Sequence, residues 1–348
     1  MTSRQTWHDF LSTQAAAPQH LTSPDTCSSA QLMDLDHIGI IAVCGADTDS
    51  FLQGQLSCDL RRLSEQQSIS GSLNTLKGRT ISTLLLIRRG NTVYLLLQRS
   101  LVADVIQVLK KYIIFSKATL EDKSDALICF ALQGDAATSL ITPIFTQLDT
   151  PYSTACVDDL HCIKMPGARA RYLLMGSVAA AEKTWLTLAQ NCSISDSQLW
   201  QRAQIEAGLA EVSAKTREQF LPHNLNLHLT GGISFEKGCY TGQEIIARMH
   251  YRSTPKNELF ICTIQVPDTT LSAEHIEGAS LYQAQSGQLR AMGEIVNATE
   301  DGAQTVRALV LLPKDFTLDE TNTASFLLEQ KEVHLSHVQR PPYAINNK

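Results

Sequence analysis

The hydrophobic period of this chain changes once, near Pro255, and that change limits the folds open to it. Beyond it come LFICTIQV (259–266), SLYQAQ (280–285), LRAMGEIVNA (289–298), TVRALVLL (305–312) and SFLLEQ (325–330), broken by the turn signals Ser286-Gly287 and Asp301-Gly302. Short β-prone segments at this spacing predict a small antiparallel barrel or sandwich. Before the change, strands and helices alternate. HIGIIAVCG (37–45) reads as a buried strand, and Asp47 or Asp49 then caps a helix carrying Phe51, Leu52 and Leu56. TISTLLLIRRG and NTVYLLLQRS meet at Gly90 and Asn91 as two strands joined by a tight turn. Ser100 opens an amphipathic helix with Leu101, Val105, Leu109 and Tyr112 at helical spacing and Lys110 and Lys111 near its end. LICFALQG (127–134) and RYLLMG (171–176) read as strands, and a helix through Ala179 to Leu188 follows the second. Ser195 and Gln198 have capping-box spacing for a helix running to about Gly208. The class is α+β, with a body over 31–254 and a C-terminal antiparallel β-barrel over 255–348. Residues 13–30 are small, polar and without period, so 1–30 is expected to be a flexible lead-in.

Charge and cysteine content exclude several functions. Lys and Arg total 29 against 35 Asp and Glu, a net charge of −6 over 348 residues. That balance argues against direct nucleic-acid binding and against holding an anionic membrane by overall charge. The pairs Arg88-Arg89 and Lys110-Lys111 read as solvated faces. The nine cysteines are odd in number and contain no CxxC pair, so neither a full disulfide framework nor a four-cysteine metal site is written here, and no metal is expected. No stretch approaches the roughly 20 apolar residues that span a bilayer. The expected setting is the reducing cytosol.

The densest unusual segment is GGISFEKGCYTGQEIIARMHYR, 231–252, with glycines at 231, 232, 238 and 242. Glycine there permits positive φ and close backbone approach. Thr241 and Glu244 have capping-box spacing, so a helix is expected to begin near Thr241. Cys239 then lies just ahead of a helix N-terminus, and Lys237 two residues before it. Free helix amides and a nearby ammonium both favour thiolate over thiol, which makes a cysteine nucleophilic. The flanking His223, His228 and His250 are alternative bases for that thiol. The remaining cysteines are expected to be small buried hydrophobes.

KGCYTGQE resembles the signature of the YgfZ family, folate-binding relatives of the glycine-cleavage aminomethyltransferase. GADTDSFLQGQLSCDL (45–60), LKKYIIFSKATL (109–120), LWQRAQIEAGL (199–209) and LPHNLNLHLTGGISFEKGCYTGQEIIAR (221–248) resemble the family's blocks in the family's order. The resemblance implies a three-lobed aminomethyltransferase-like folate-binding fold. Two lobes are interleaved in sequence, the barrel is the third, and tetrahydrofolate lies in a central cavity with the KGC loop at its edge. It further implies a role in supporting iron–sulfur enzymes, such as the tRNA methylthiotransferases, as partners.

Carried over residue by residue, Lys237 and Cys239 are the reactive pair, and the implied folate site comprises Trp200, Glu206, Ile38, Asn74, Tyr240, Gln243 and Glu244. Trp200 resembles the family's folate-contacting aromatic, and Glu206 the carboxylate that meets the pterin's amino-pyrimidine edge. Two positions depart from the pattern. Ile38 stands where bacterial members often carry a tryptophan. Ile81 and Ser82, in LNTLKGRTISTL, stand where the aminomethyltransferases carry a pair of aspartates. An isoleucine can neither accept a proton nor stabilise an iminium, which argues against glycine cleavage. The role of Cys239 stays open among nucleophile, redox thiol and transient iron or sulfur ligand. A folate-dependent one-carbon or aminomethyl transferase and a non-catalytic scaffold are the alternatives.

Overall fold

The computed structural model describes residues 2–16, 30–253, 255–266, 271–285, 288–317 and 323–345. In chain order its elements are α1 (Ser3–Ala16), β1 (Gln31–Asp34), β2 (Ile38–Cys44), α2 (Thr48–Gln55), β3 (Ile69–Asn74), β4 (Thr80–Arg89), β5 (Thr92–Gln98), α3 (Val102–Ile113) and β6 (Thr119–Asp122). There follow β7 (Leu127–Gln133), α4 (Ala137–Ile141), β8 (Thr154–Val157), β9 (Leu160–Lys164), β10 (Arg171–Ser177), α5 (Val178–Ala189), β11 (Ser193–Ile194), α6 (Gln198–Glu206) and α7 (Gln243–Arg252). The C-terminal part holds β12 (Asn257–Gln265), α8 (Ala273–Ile276), β13 (Ser280–Gln285), β14 (Gln288–Gly302), β15 (Thr305–Pro313), β16 (Ala324–Leu328), β17 (Lys331–Gln339) and α9 (Pro342–Ile345).

Two compact units interleave along the chain. The first is Met1–Phe51, Leu60–Ile69 and Leu85–Trp200; the second is Leu52–Asp59, Ser70–Leu84 and Gln201–Lys348. The division falls inside α2, β3, β4 and α6, so these elements each belong partly to both.

In the first unit, a six-stranded sheet runs β11-β1-β7-β10-β9-β8. β7 and β10 pair antiparallel, Leu132 facing Tyr172 and Phe130 facing Leu174. Both are buried along nearly their whole length, which accounts for their continuous apolar runs. A second group pairs β2 with β5 and β6, and β5 with the Leu85–Arg89 half of β4. The turn between β4 and β5 is at Gly90, where φ is +53°.

The expected lead-in is corrected over residues 3–16. Trp7, Phe10 and Leu11 recur at helical spacing, and α1 buries Trp7 completely beside Phe130 and Trp185, their ring centroids 6.0 and 5.4 Å away. The Trp7 indole N–H donates to Asp34 Oδ1 at 2.9 Å, which satisfies its one polar atom inside that core. The rest of the predicted lead-in, 17–29, lies outside the described residues.

The start of α6 also differs from expectation. Asp196 Oδ1, rather than Ser195, accepts the Gln198 amide at 2.8 Å, because the Ser195 amide is committed to Leu32 O. The helix ends as its sequence predicts, with Gly208 at φ +71° and paired bonds from Gly208 N to Ile205 O and Leu209 N to Gln204 O.

The second unit contains a closed barrel in the order β12-β15-β14-β13-β16-β17. Its interior is apolar: Phe260, Cys262, Ile264, Ile295, Val306, Ala308, Val310, Phe326, Val333 and Leu335 alternate inward along their strands. All five strands expected from sequence are present, and β17 is an additional one. The turn signal at 286–287 lies outside the described residues.

Candidate functional site

The KGC loop belongs to the second unit, and its geometry follows from a buried polar lattice beneath it. Ser57, Ser72 and Asn74 are completely buried. The hydroxyls of Ser57 and Ser72 are 2.9 Å apart, Ser57 donates to Gly232 O at 2.6 Å, and Ser72 donates to Asn74 Oδ1 at 3.1 Å. The Ser234 amide donates to Ser57 O at 2.9 Å. These bonds tie the start of the loop to residues 57–74.

Lys237 continues the attachment. Its side chain is buried, and its ammonium donates to Leu56 O and Cys58 O, both at 2.7 Å, while lying 5.0 Å from the centre of the Tyr240 ring. Carbonyls and an aromatic face both help to compensate the buried charge. Lys237 is thus placed as an internal anchor of the loop. Tyr240 is also buried, and burial pushes its phenol above the ordinary range. Cys239, between the two anchored side chains, is exposed. Of the other described cysteines, Cys58, Cys129, Cys162 and Cys262 are buried, as expected, Cys192 is intermediate, and Cys44 and Cys156 are exposed. Burial pushes the thiols of Cys129 and Cys262 up to about 12. Cys27 lies outside the described residues.

The capping box expected at Thr241 and Glu244 does not form. Thr241 turns to donate its amide to Gly54 O and its hydroxyl to Gln55 Oε1, and α7 begins two residues later, with Gly242 at its N-cap at φ +82°. A side chain at 242 would bring its Cβ within 2.5 Å of Thr75 O, so glycine is required twice over, by conformation and by space. Gln243 is half-buried and Glu244 exposed, both in the first turn of α7.

Other expected site residues have different surroundings. Within the first unit, Trp200 has no exposed surface, and the Arg171 guanidinium lies 4.8 Å from its ring centre. Its indole nitrogen is buried without a hydrogen-bond partner. Ile38 packs in the same core. In the second unit, Glu206 is half-exposed and pairs with Arg202 at 3.0 Å; Arg202 also reaches Asp301. Ile81 and Ser82 are buried, and the Ser82 hydroxyl donates to Thr83 O.

The three histidines form a ring stack with Phe235 and Tyr251. His223 and His228 centroids are 4.8 Å apart, and His250 lies 3.8 Å over Phe235. Burial, reinforced by the neighbouring histidines, lowers His223 and His228 to about 4. Imidazoles so weakly basic are poor acceptors for a thiol proton. Among the described residues, one group of three has ligand atoms close enough to hold a metal: His8, Asp34 and Asp36. Arg4 is already paired with Asp36, and Asp34 accepts from Trp7. Among the described residues no helix is long and apolar enough to cross a membrane.

Sequence reasoning did not identify Ser57, Ser72 or the carbonyls of Leu56 and Cys58. The serines are ordinary in composition, and no local pattern signals that a lysine 181 residues away will bond to Leu56 O.

The fold class is that of the aminomethyltransferases. The chain superposes on the glycine cleavage system aminomethyltransferase T from Bartonella henselae with a TM-score of 0.70 over 91% of this chain and 86% of that one, at 17% identity. Residues 23–179 match the family described as the GCVT N-terminal domain. The tRNA-modifying protein YgfZ of Yersinia pseudotuberculosis is 31% identical over 290 residues, covering 83% of this chain and 86% of that protein. The protein of the same name in Hamiltonella defensa is 33% identical over 293 residues, covering 82% and 84%. The chain belongs to the YgfZ family.

Proposed function

We propose that this protein binds a folate and sustains iron–sulfur enzymes in the cytosol, among them enzymes that modify tRNA, with Cys239 as its working thiol. The observation that carries the reading is an exposed cysteine in a loop whose neighbouring lysine is fastened into a buried lattice. The relatives named as tRNA-modifying proteins support the tRNA side of it. One thiolate supplies too few ligands for a resident cluster. Cys239 therefore serves as a transient ligand for iron or sulfur, and Lys237 is a positioning residue that holds the loop from inside. Glycine cleavage is not proposed, because residues 81 and 82 supply no carboxylate.

The residues fit a folate only in part. Trp200 and Ile38 are sealed in a core and offer no face. Glu206 offers a half-exposed carboxylate that can accept the amino-pyrimidine edge of a pterin once it parts from Arg202. A folate in that site supplies one-carbon chemistry; the chain's own part is to bind and orient it.

Two experiments test the reading. Cells lacking the protein are complemented with wild type or with Cys239→Ser, and iron–sulfur enzyme activity is measured. Rescue by the serine variant would reduce the protein to a scaffold. Calorimetric titration with tetrahydrofolate is expected to give micromolar binding that Glu206→Gln weakens about tenfold, a charge-assisted hydrogen bond's worth. Binding untouched by Glu206→Gln would remove Glu206 from the site.

A further inference from the structure

In the first unit, the end of α3 and the turn after it read KKYIIFSK, residues 110–117. As sequence, the two leading lysines pass for a solvated helix end. The structure gives them unusual company: Phe115 is 89% exposed, Ile114 72% and Tyr112 39%. Phe115 and Ile114 are adjacent at a turn, so together they present apolar surface to water that no other described residue covers. Val102, Val105 and Leu109 already satisfy the buried stripe of α3, so the core has no claim on them. Lys110, Lys111 and Lys117 are all exposed, and among the described residues none forms an ion pair. Asp47 accepts the Lys117 backbone N–H at 2.7 Å, not its ammonium. The eight residues contain three cations, two aromatic rings and no acid, in a chain whose net charge is −6.

We infer that this turn is a contact for unpaired RNA, with Phe115 as a stacking platform for a base and Lys110, Lys111 and Lys117 on the flanking phosphates. An exposed aromatic face beside unpaired ammonium groups is the combination by which proteins hold single-stranded nucleic acid, stacking being indifferent to base identity and the lysines acting as point charges. Charge complementarity selects an anionic occupant. Rings interleaved with the lysines select one with a flat face beside every phosphate, which a lipid headgroup lacks and an acidic peptide does not repeat. The local patch thus overrides the argument from net charge, which speaks only against binding by overall field. The inference rests on the proposed function for its choice of tRNA as the RNA.

The test uses the full chain and an in-vitro-transcribed tRNA at about 50 mM salt, where phosphate contacts are strongest. Phe115→Ala is expected to weaken binding about tenfold, the loss of one base–aromatic stack. The triple variant Lys110→Gln, Lys111→Gln, Lys117→Gln is expected to lower the slope of log affinity against log salt by about 2 to 3. Phe115→Trp gives a direct readout, because the native Trp7, Trp185 and Trp200 are all fully buried. Emission that iodide can quench then reports on position 115, and saturating tRNA should quench it and shield it from iodide. Wild-type affinity in Phe115→Ala and the triple variant, or unchanged emission from the tryptophan variant, would overturn the inference. So would residue-dependent sedimentation with phosphatidylglycerol vesicles while RNA affinity stays constant; that result would assign the turn to lipid. Loss of Phe115-dependent binding leaves the Cys239 reading standing, whereas rescue by Cys239→Ser with binding intact sinks that reading and leaves the contact.

Discussion

Two buried regions of this molecule are equally sealed from water and built on opposite principles. In the first unit, Trp7, Phe130, Leu132, Leu174 and Trp185 pack ring against chain with only two indole N–H groups among them, that of Trp7 donating to Asp34 and that of Trp185 buried without a partner. In the second, Ser57, Ser72, Asn74 and Lys237 are buried just as deeply, and each polar group depends on another. The apolar region is stabilised by removing surface from water and responds to damage in proportion to the volume lost. The polar region contributes little net stability per bond, yet loses heavily when one partner is removed and others stay buried without a mate. Its yield is position. Only the second kind of construction can hold a loop at one place while leaving the cysteine between its anchors in solvent.

The comparison can be broken at several points. Trp7→Ala should cost about 3–5 kcal/mol by denaturant titration, the expected range for a large core aromatic. A loss below about 1 kcal/mol would return residues 3–16 to the status of a lead-in. Lys237→Met keeps the length and removes the donor, stranding two carbonyls. A cost of about 2–4 kcal/mol is expected, together with a changed rate of Cys239 alkylation. An unchanged alkylation rate would separate the lysine from the thiol. Gly242→Ala, strained at φ +82° and crowded by Thr75 O, should cost about 2 kcal/mol or more.

The histidine stack sharpens the same contrast through pH. His223 and His228 are held near 4 in the folded chain and titrate near the ordinary 6.5 when unfolded. Below that value the unfolded state binds more protons. Their contribution is present above about 6.5 and is lost as pH falls toward 4. His223→Phe should flatten the stability profile across that window by nearly one proton; an unaltered slope would show that His223 already charges in the folded protein. Cys239→Ser should have the smallest effect, within about 0.5 kcal/mol, because the side chain is exposed.

The parts of the fold legible in the sequence were those governed by period. The barrel strands, β2, the β4–β5 hairpin, α3 and α5 follow from alternation or helical spacing with a turn residue at the end. Short strands such as β1, β6, β8 and β11 were missed because two to four residues carry no detectable period. α1 is not legible because its apolar stripe is short, Trp7, Phe10 and Leu11, and the segment after it has no period. At the site, the signature loop was evident from its glycines and its Lys-Gly-Cys run. The direction of Lys237 was not. An ammonium two residues from a thiol suggests an electrostatic partner, and only the fold reveals that carbonyls of residues 56 and 58 claim it. Thr241 shows the same limit: its capping spacing is correct, and tertiary bonds to Gly54 and Gln55 override it.

The anchor joins positions separated by 181 and 179 residues. A growing polypeptide emerging from the ribosome therefore has residues 56 and 58 long before it has residue 237, and the closure that fastens the loop spans about half of the chain. Fragments released before that point carry the acceptor carbonyls without the lysine that joins them. The thiol acquires its mounting only when synthesis is well advanced, so partial products cannot display a half-built version of it.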